Sequence, residues 1–456
     1  MAEKKVTNKR IARKKTVPQK TSYPPAYFLS LSVENVRCFG PKQTIDVSDG
    51  HGRPAQWTLI LGDNNTGKTT LLQCFVALEP YKISNDKERL DPKLFKETTF
   101  NFYRGIETNY FNINGKVCYG SKIRELYKEF KSLNQEIYIS DFLSMHNTYP
   151  KQHFTGLICY GYGASRIMGK STLSEKELSD PTSSLFRDDV ELINAEEWLL
   201  QADYSAKASS KSSKVGQTVR KKRDQIKEIL INLLPEVDDI RVTEPTQKNL
   251  KPRVEFKTPY GWIGLNGLSL GYRAMISWMV DLANRMFERY PKSVNPLAEP
   301  AIVLIDEIDL HLHPKWQRTI MNFLSERFIN TQFIVTAHSP LVVQAAANAN
   351  IVLLKREGDH VVIDNNPQSV LGWRTDQILT GLFELPSRSF EIEELQKKRR
   401  ELLSKARLTK TDKKKLKDIE SKMGTLPTAE TPEDIEAMEI IRQAAKRLKN
   451  GEKNNK

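Results

Sequence analysis

No apolar run in this chain approaches the roughly 18 consecutive residues that a membrane-spanning helix needs, and no signal-peptide pattern opens it. A membrane role would have to come from another polypeptide, so no membrane contact and a cytoplasmic location are expected. Cysteine is also scarce. Cys38, Cys74, Cys118 and Cys159 are scattered without paired spacing, which excludes a disulfide-built scaffold and argues against a zinc site. A reducing compartment suits them.

Basic charge is present in excess but is missing from the middle of the chain. The 456 residues carry a formal net charge of +14. Residues 1–20 hold eight Lys/Arg against one Glu, and residues 391–456 hold 18 basic against 13 acidic residues. Only +2 is left for everything between. The large central part is therefore near neutral, and electrostatic contact with nucleic acid is expected at the ends if anywhere. Residues 1–25 show no apolar periodicity and are expected to form a basic disordered tail.

Chemistry is concentrated in a few short stretches. GDNNTGKTT, Gly62 to Thr70, fits the phosphate-loop pattern G-x-x-x-x-G-K-[ST], with Gly62, Gly67, Lys68 and Thr69 in the required places. Trp57 to Leu61 before it reads as a strand, and Thr69 to Leu78 after it as a helix, which is the context the motif requires. Glycines let backbone N–H groups converge on phosphate oxygens, and the helix N-terminus adds its positive dipole end. Lys68 can reach the terminal phosphates, and the Thr69 hydroxyl can ligate Mg²⁺. Asn65, Thr66 and Thr70 complete the predicted nucleotide-binding set.

Ile302 to Ile305 is a continuous apolar run, read as a buried parallel strand that delivers Asp306 and Glu307 to the carboxyl end of a sheet. Two carboxylates there can divide the work, Asp306 toward Mg²⁺ and Glu307 toward an attacking water. His338 ends the next apolar run, Phe333 to Val335, and is expected on the same edge, beside the strand carrying Glu307. His51, His146, His153 and His360 have no such placement. Leu268 to Tyr272, LSLGY, precedes a helical pattern over Ala274 to Phe287, which puts Ser269 near an N-cap with Gly271 just behind it. Alone this is an ordinary capped helix. Beside the other motifs it is a second phosphate-binding helix end, and a site with two such ends is naturally built from two subunits.

Taken together, these stretches resemble the soluble branch of the ABC-type ATPases, shared by SMC, RecF and OLD-like proteins. The resemblance covers roughly residues 26 to 365. It implies an α/β ABC-type P-loop NTPase head in which two heads sandwich two ATP molecules. Lys68 and Thr69 then stand for Walker A, Ser269 and Gly271 for the signature, Asp306 and Glu307 for Walker B, and His338 for the switch histidine. Asp309 to Pro314, DLHLHP, matches the D-loop. Leu270 departs from the signature, which often has glycine there, and no Q-loop glutamine is placed, although Tyr160 to Arg166, YGYGASR, occupies the right region. Glu307 and His338 are the expected catalytic residues, Thr69 and Asp306 the metal ligands, and ATP and Mg²⁺ the cofactors.

Around the head, residues 82–250 read as a mixed and helical insertion in place of a long coiled coil. Lys82 to Gln152 suggests strands and short helices, followed by helical segments around Val190 to Ala202 and Arg223 to Leu234. The serine- and lysine-rich stretch between those segments reads as a mobile, low-complexity linker. Ile351 to Leu354 and Val361 to Ile363 predict a hairpin turned at Glu357-Gly358-Asp359. A Toprim nuclease would use such a turn with a later Asp-x-Asp, but none follows, so no intrinsic nuclease is expected.

Residues 366–456 read as a helical extension for oligomerisation or partner docking. It comprises helices over Glu391 to Ala406, around Leu416, Ile419 and Met423, and from Thr431 onward. Asp376 to Ser389 and the helices after it resemble the PtuA-type ATPase subunits of Septu anti-phage systems. That resemblance implies a homo-oligomer, a separate HNH nuclease partner and nucleic-acid contact through that partner or the basic ends. The alternatives are a RecF-like repair ATPase acting directly on DNA and a nucleotide that serves only as a structural ligand.

Overall fold

The computed structural model describes residues 25–78, 82–83, 87–88, 110–119, 122–133, 136–143, 157–170, 179–245, 247, 251–346, 348–367, 372–383, 385, 389–404 and 409–423. The basic tail and the helix expected from Thr431 lie outside them. Two compact units divide the chain, 1–378 and 379–456, and each is described by itself.

The first unit opens with strands β1 (Ala26–Glu34), β2 (Gln43–Asp46) and β3 (Trp57–Gly62), then helix α1 (Lys68–Ala77). Next come β4 (Tyr110–Tyr119), β5 (Lys122–Leu133), β6 (Glu136–Leu143) and β7 (Cys159–Tyr162), and helices α2 (Ala195–Ala208) and α3 (Lys214–Leu233). A small antiparallel sheet follows, β8 (Asp239–Val242), β9 (Val254–Thr258) and β10 (Gly261–Gly264), and leads to the long helix α4 (Leu270–Arg289). Strands β11 (Ala301–Ile305), β12 (Thr331–Thr336), β13 (Asn350–Glu357) and β14 (His360–Asp364) finish the head.

A six-stranded sheet in the order β14-β13-β3-β12-β11-β7 is the frame of the molecule. All its strands run parallel except β14, which turns back on β13 as a hairpin. That hairpin has Gly358 and Asp359 at its tip, between the paired residues Glu357 and His360, as the sequence suggests. Strands β3, β7, β11 and β12 are buried along their whole length, the pattern of a sheet covered on both faces. One consequence governs the site: β12 lies between β3 and β11, so its carboxyl end sits between the phosphate loop and the Asp-Glu pair.

Helix α1 is buried nearly all round, which suits a helix enclosed between two layers. Its apolar residues share one cluster with β1 and with the central strands, and Phe28 meets Phe75 with ring centroids 4.9 Å apart. The second layer is an antiparallel sheet in the order β2-β1-β4-β5-β6. Gln332 of β12 joins the two layers: its side chain accepts from Phe28 N at 2.9 Å and donates to Phe28 O at 2.8 Å, with the residue 1 % exposed. Beyond the parallel sheet, α4 packs Trp278 against Tyr162 at 5.6 Å, and Asp281 accepts from Tyr162 and Arg285 at 3.0 and 2.7 Å.

Two expectations change. The stretch 205–223 is largely helical, because α2 runs to Ala208 and α3 starts at Lys214, leaving only 209–213 as a turn. Ser213 caps α3 by accepting from Gly216 N, and Arg220 donates to Ser209 O at 2.5 Å, so local hydrogen bonds order what composition alone makes look loose. Within 82–152, every regular element among the described residues is a strand.

In the second unit, α6 (Phe390–Leu403) and α7 (Lys410–Met423) match the first two predicted C-terminal helices. Thr409 and Asp412 exchange side-chain-to-backbone hydrogen bonds at the start of α7, a reciprocal cap. The helix preceding them, α5 (Thr375–Gly381), crosses the boundary between the two units.

Candidate functional site

The loop between β3 and α1 is shaped by residues with positive φ: Gly62 at 151°, Asn65 at 65° and Gly67 at 85°. A side chain at Gly62 would run into Thr66 Oγ1 and Leu354 O, and one at Gly67 into Cys38 and the Phe39 ring. Both glycines are therefore required by shape as well as by dihedral angle. Thr66 closes the turn by donating to Asp63 O at 2.8 Å. Lys68 is 6 % exposed and folds back over the loop, donating to Gly62 O at 2.9 Å and Asp63 O at 2.7 Å. Burial holds its ammonium below the usual lysine range, against the opposing pull of Asp306, Glu307, Asp63 and Asp309.

Asp306 stands at the end of β11 and is 6 % exposed. Its two carboxylate oxygens accept from Thr69 Oγ1 and Thr336 Oγ1, each at 2.6 Å. Phosphate loop, Asp-Glu strand and intervening strand are thus joined through one carboxylate. Glu307 follows with φ of 48° and donates its N–H to Thr336 Oγ1 at 2.7 Å. Its own carboxylate has no hydrogen-bond partner among the described residues. His338 lies just beyond β12; its backbone N–H donates to Asp309 Oδ2 at 3.0 Å, and its ring is likewise without a partner among the described residues.

Three contributors escape a sequence reading. Arg166, 3 % exposed, donates to Gly163 O at 3.0 Å, to Glu307 O at 2.5 Å and to Asp306 O. Burial pushes its guanidinium down to about 10, so it stays charged at neutral pH, with Asp306, Asp309 and Glu307 pulling the other way. Arg37 donates to Thr70 Oγ1 and Gln73 Oε1, both at 3.1 Å. Thr336 is the third. Of these, Arg166 carries a signal in its place in YGYGASR just past β7, and Thr336 in its place two residues before His338; Arg37 carries none.

Ser269 caps α4, accepting from Tyr272 N at 3.5 Å, and is exposed together with Leu270. Gly271 is buried directly under the His311 carbonyl, which by itself accounts for glycine there. Tyr272 is anchored by its hydroxyl to Pro235 O at 2.6 Å and by its ring to Trp316 at 4.7 Å. The structure brings together Gly62, Asn65, Thr66, Gly67, Lys68, Thr69, Thr70, Asp306 and Glu307. No hydrogen bond among the described residues links Ser269 or Gly271 to that group. No three His, Cys, Asp or Glu side chains cluster as a metal site among the described residues, and no helix there is long and apolar enough to cross a membrane.

Over residues 28–343 the chain matches the AAA ATPase domain family. The Escherichia coli protein named "Retron Ec83 probable ATPase" is 44 % identical over 121 residues, covering 26 % of this chain and 22 % of that one. Septu protein PtuA of Bacillus mycoides (strain KBAB4) is 26 % identical over 386 residues, 83 % of this chain and 48 % of that one. The chain thus spans about half or less of the length of these curated relatives. A solved SMC head bound to the C-winged helix domain of ScpA shares 15 % identity over 74 % of this chain and 97 % of its own, with a TM-score of 0.47. With more than half of its length under the family match, and with the phosphate loop and Asp-Glu pair inside it, this chain belongs to the AAA ATPase domain family.

Proposed function

We propose that this chain binds ATP with Mg²⁺ at Gly62 to Thr70 and hydrolyses it, two heads together completing each site. The observation that carries the reading is the chain of hydrogen bonds from Thr69 through Asp306 to Thr336. A hydroxyl and a carboxylate 2.6 Å apart fit a divalent ion that takes its remaining ligands from phosphate and water. Bound there, such an ion would draw charge off the reacting phosphate. Glu307, with a carboxylate free among the described residues, is the group to orient water and take its proton. His338, fixed through its backbone by Asp309, is proposed to sense the terminal phosphate. Exposed Ser269, at the head of a 20-residue helix, is proposed to meet the nucleotide held by a second copy.

The names of the Septu and retron relatives support a place in anti-phage defence. We assign the chain the ATPase role in such a system, in higher oligomers that regulate an HNH-type nuclease. Residues 366–456 are its oligomerisation or docking region, and nucleic acid is met through the partner or the basic ends.

ATP binding and steady-state turnover of two variants test the reading. Lys68→Ala should lose ATP binding, and Glu307→Gln should bind ATP but turn over at least about a hundredfold more slowly. Normal turnover by Glu307→Gln would remove the assigned base, and undiminished ATP affinity in Lys68→Ala would remove the site.

A further inference from the structure

Glu307 sits in a left-handed conformation, φ 48°, which a residue with a side chain rarely adopts and only under strain. The strain can relax only by rotation of one of the two peptide planes that flank Glu307, and both planes are held at both ends. On the N–H side, Glu307 N donates to Thr336 Oγ1 at 2.7 Å and Ile308 N to Thr336 O at 2.9 Å. On the carbonyl side, one guanidinium nitrogen of Arg166 takes both Asp306 O and Glu307 O, and Leu310 N also donates to Glu307 O at 3.0 Å. Arg166 itself is 3 % exposed, has φ of 39° and is anchored to Gly163 O at 3.0 Å, so the donor does not wander. A buried guanidinium normally answers a carboxylate. Here, among the described residues, all its hydrogen bonds go to backbone carbonyls.

We infer that Arg166 is a positioning residue that fixes the backbone of Glu307, and so the place of its carboxylate, for ATP hydrolysis; this rests on Glu307 acting as the base. Arg166 acts through the backbone carbonyls of Asp306 and Glu307. Its removal frees the carbonyl end of the Asp306–Glu307 plane and leaves that of the Glu307–Ile308 plane to Leu310 N alone, with the phosphate loop untouched, so turnover falls and nucleotide binding is spared. A lysine at the same place keeps the charge and one donor nitrogen but lacks the Nε–H that anchors Arg166 to Gly163 O, and so keeps only part of the effect.

The test uses the full chain with Arg166→Gln, Arg166→Lys and Glu307→Gln, and the double variant Arg166→Gln with Glu307→Gln. ATP affinity and kcat are measured separately. The expected result for Arg166→Gln is a kcat lower by about ten- to a hundredfold, with affinity changed by less than about threefold. Arg166→Lys should fall between it and the unaltered protein, and free guanidinium should restore part of the Arg166→Gln rate. In the double variant, Arg166→Gln should add no further loss to that of Glu307→Gln, because the group it positions is already gone. Should Arg166→Gln fail to fold, Arg166→Lys carries the same comparison. Unchanged kcat in Arg166→Gln and Arg166→Lys, beside an inactive Glu307→Gln, would overturn the role of Arg166 alone. Equal losses with and without Glu307, or a parallel fall in affinity and kcat, would also overturn it. Normal turnover by Glu307→Gln would instead remove the base assignment on which both rest.

Discussion

At the scale of single residues, Thr336 shows how few atoms organise the site. Its hydroxyl donates to Asp306 and accepts from Glu307 N, while its backbone carbonyl accepts from Ile308 N. Thr336→Val keeps the shape and the backbone contact but leaves a buried carboxylate oxygen and a buried N–H without that partner. A kcat about tenfold lower and a stability loss of about 1–3 kcal/mol are expected, read by turnover and by denaturant unfolding. An unchanged kcat would mean that the hydroxyl is not needed to place Glu307. Lys68, Thr69, Asp306 and Glu307 are legible in the sequence because they occur in contiguous strings with fixed chemistry. Arg166, Arg37 and the hydroxyl of Thr336 are not, for a physical reason. Arg166 acts through carbonyls 140 and 141 residues away, and every residue has a carbonyl, so no pattern in the chain marks the partner.

Elements were readable in proportion to their burial. Continuous apolar runs announced β3, β11 and β12, and a glycine turn announced the β13–β14 hairpin. The same logic fails at α2 and α3, where serine and lysine suggest a linker but Ser213 and Arg220 supply the capping bonds of a helical hairpin. It also passes over Gln332, a polar residue inside a buried strand, whose value lies in a backbone partner 304 residues away. Gln332→Leu should fill similar space yet leave the N–H and carbonyl of Phe28 unanswered in the core. A stability loss of about 2 kcal/mol or more is expected by denaturant unfolding, with ATP affinity unchanged. A neutral effect on unfolding would show that β1 is held against the parallel sheet by apolar packing alone.

For the whole molecule, the central question is where the site ends. The phosphate loop, Asp306 and Glu307 are hydrogen-bonded into one group, while Ser269 is exposed at the head of its own helix with no link to that group among the described residues. Gly271, by contrast, is explained inside the chain by its contact with His311. On the proposed reading, Ser269 is the residue through which one copy completes the site of another. Mixing a Lys68→Ala protein with a Ser269→Arg protein, each inactive alone, tests this pairing most directly. Exchange of subunits should restore part of the ATP turnover, because one site in each mixed pair is then built from an intact loop and an intact Ser269. No recovery in protein shown to exchange subunits, or full activity of Ser269→Arg alone, would contradict it.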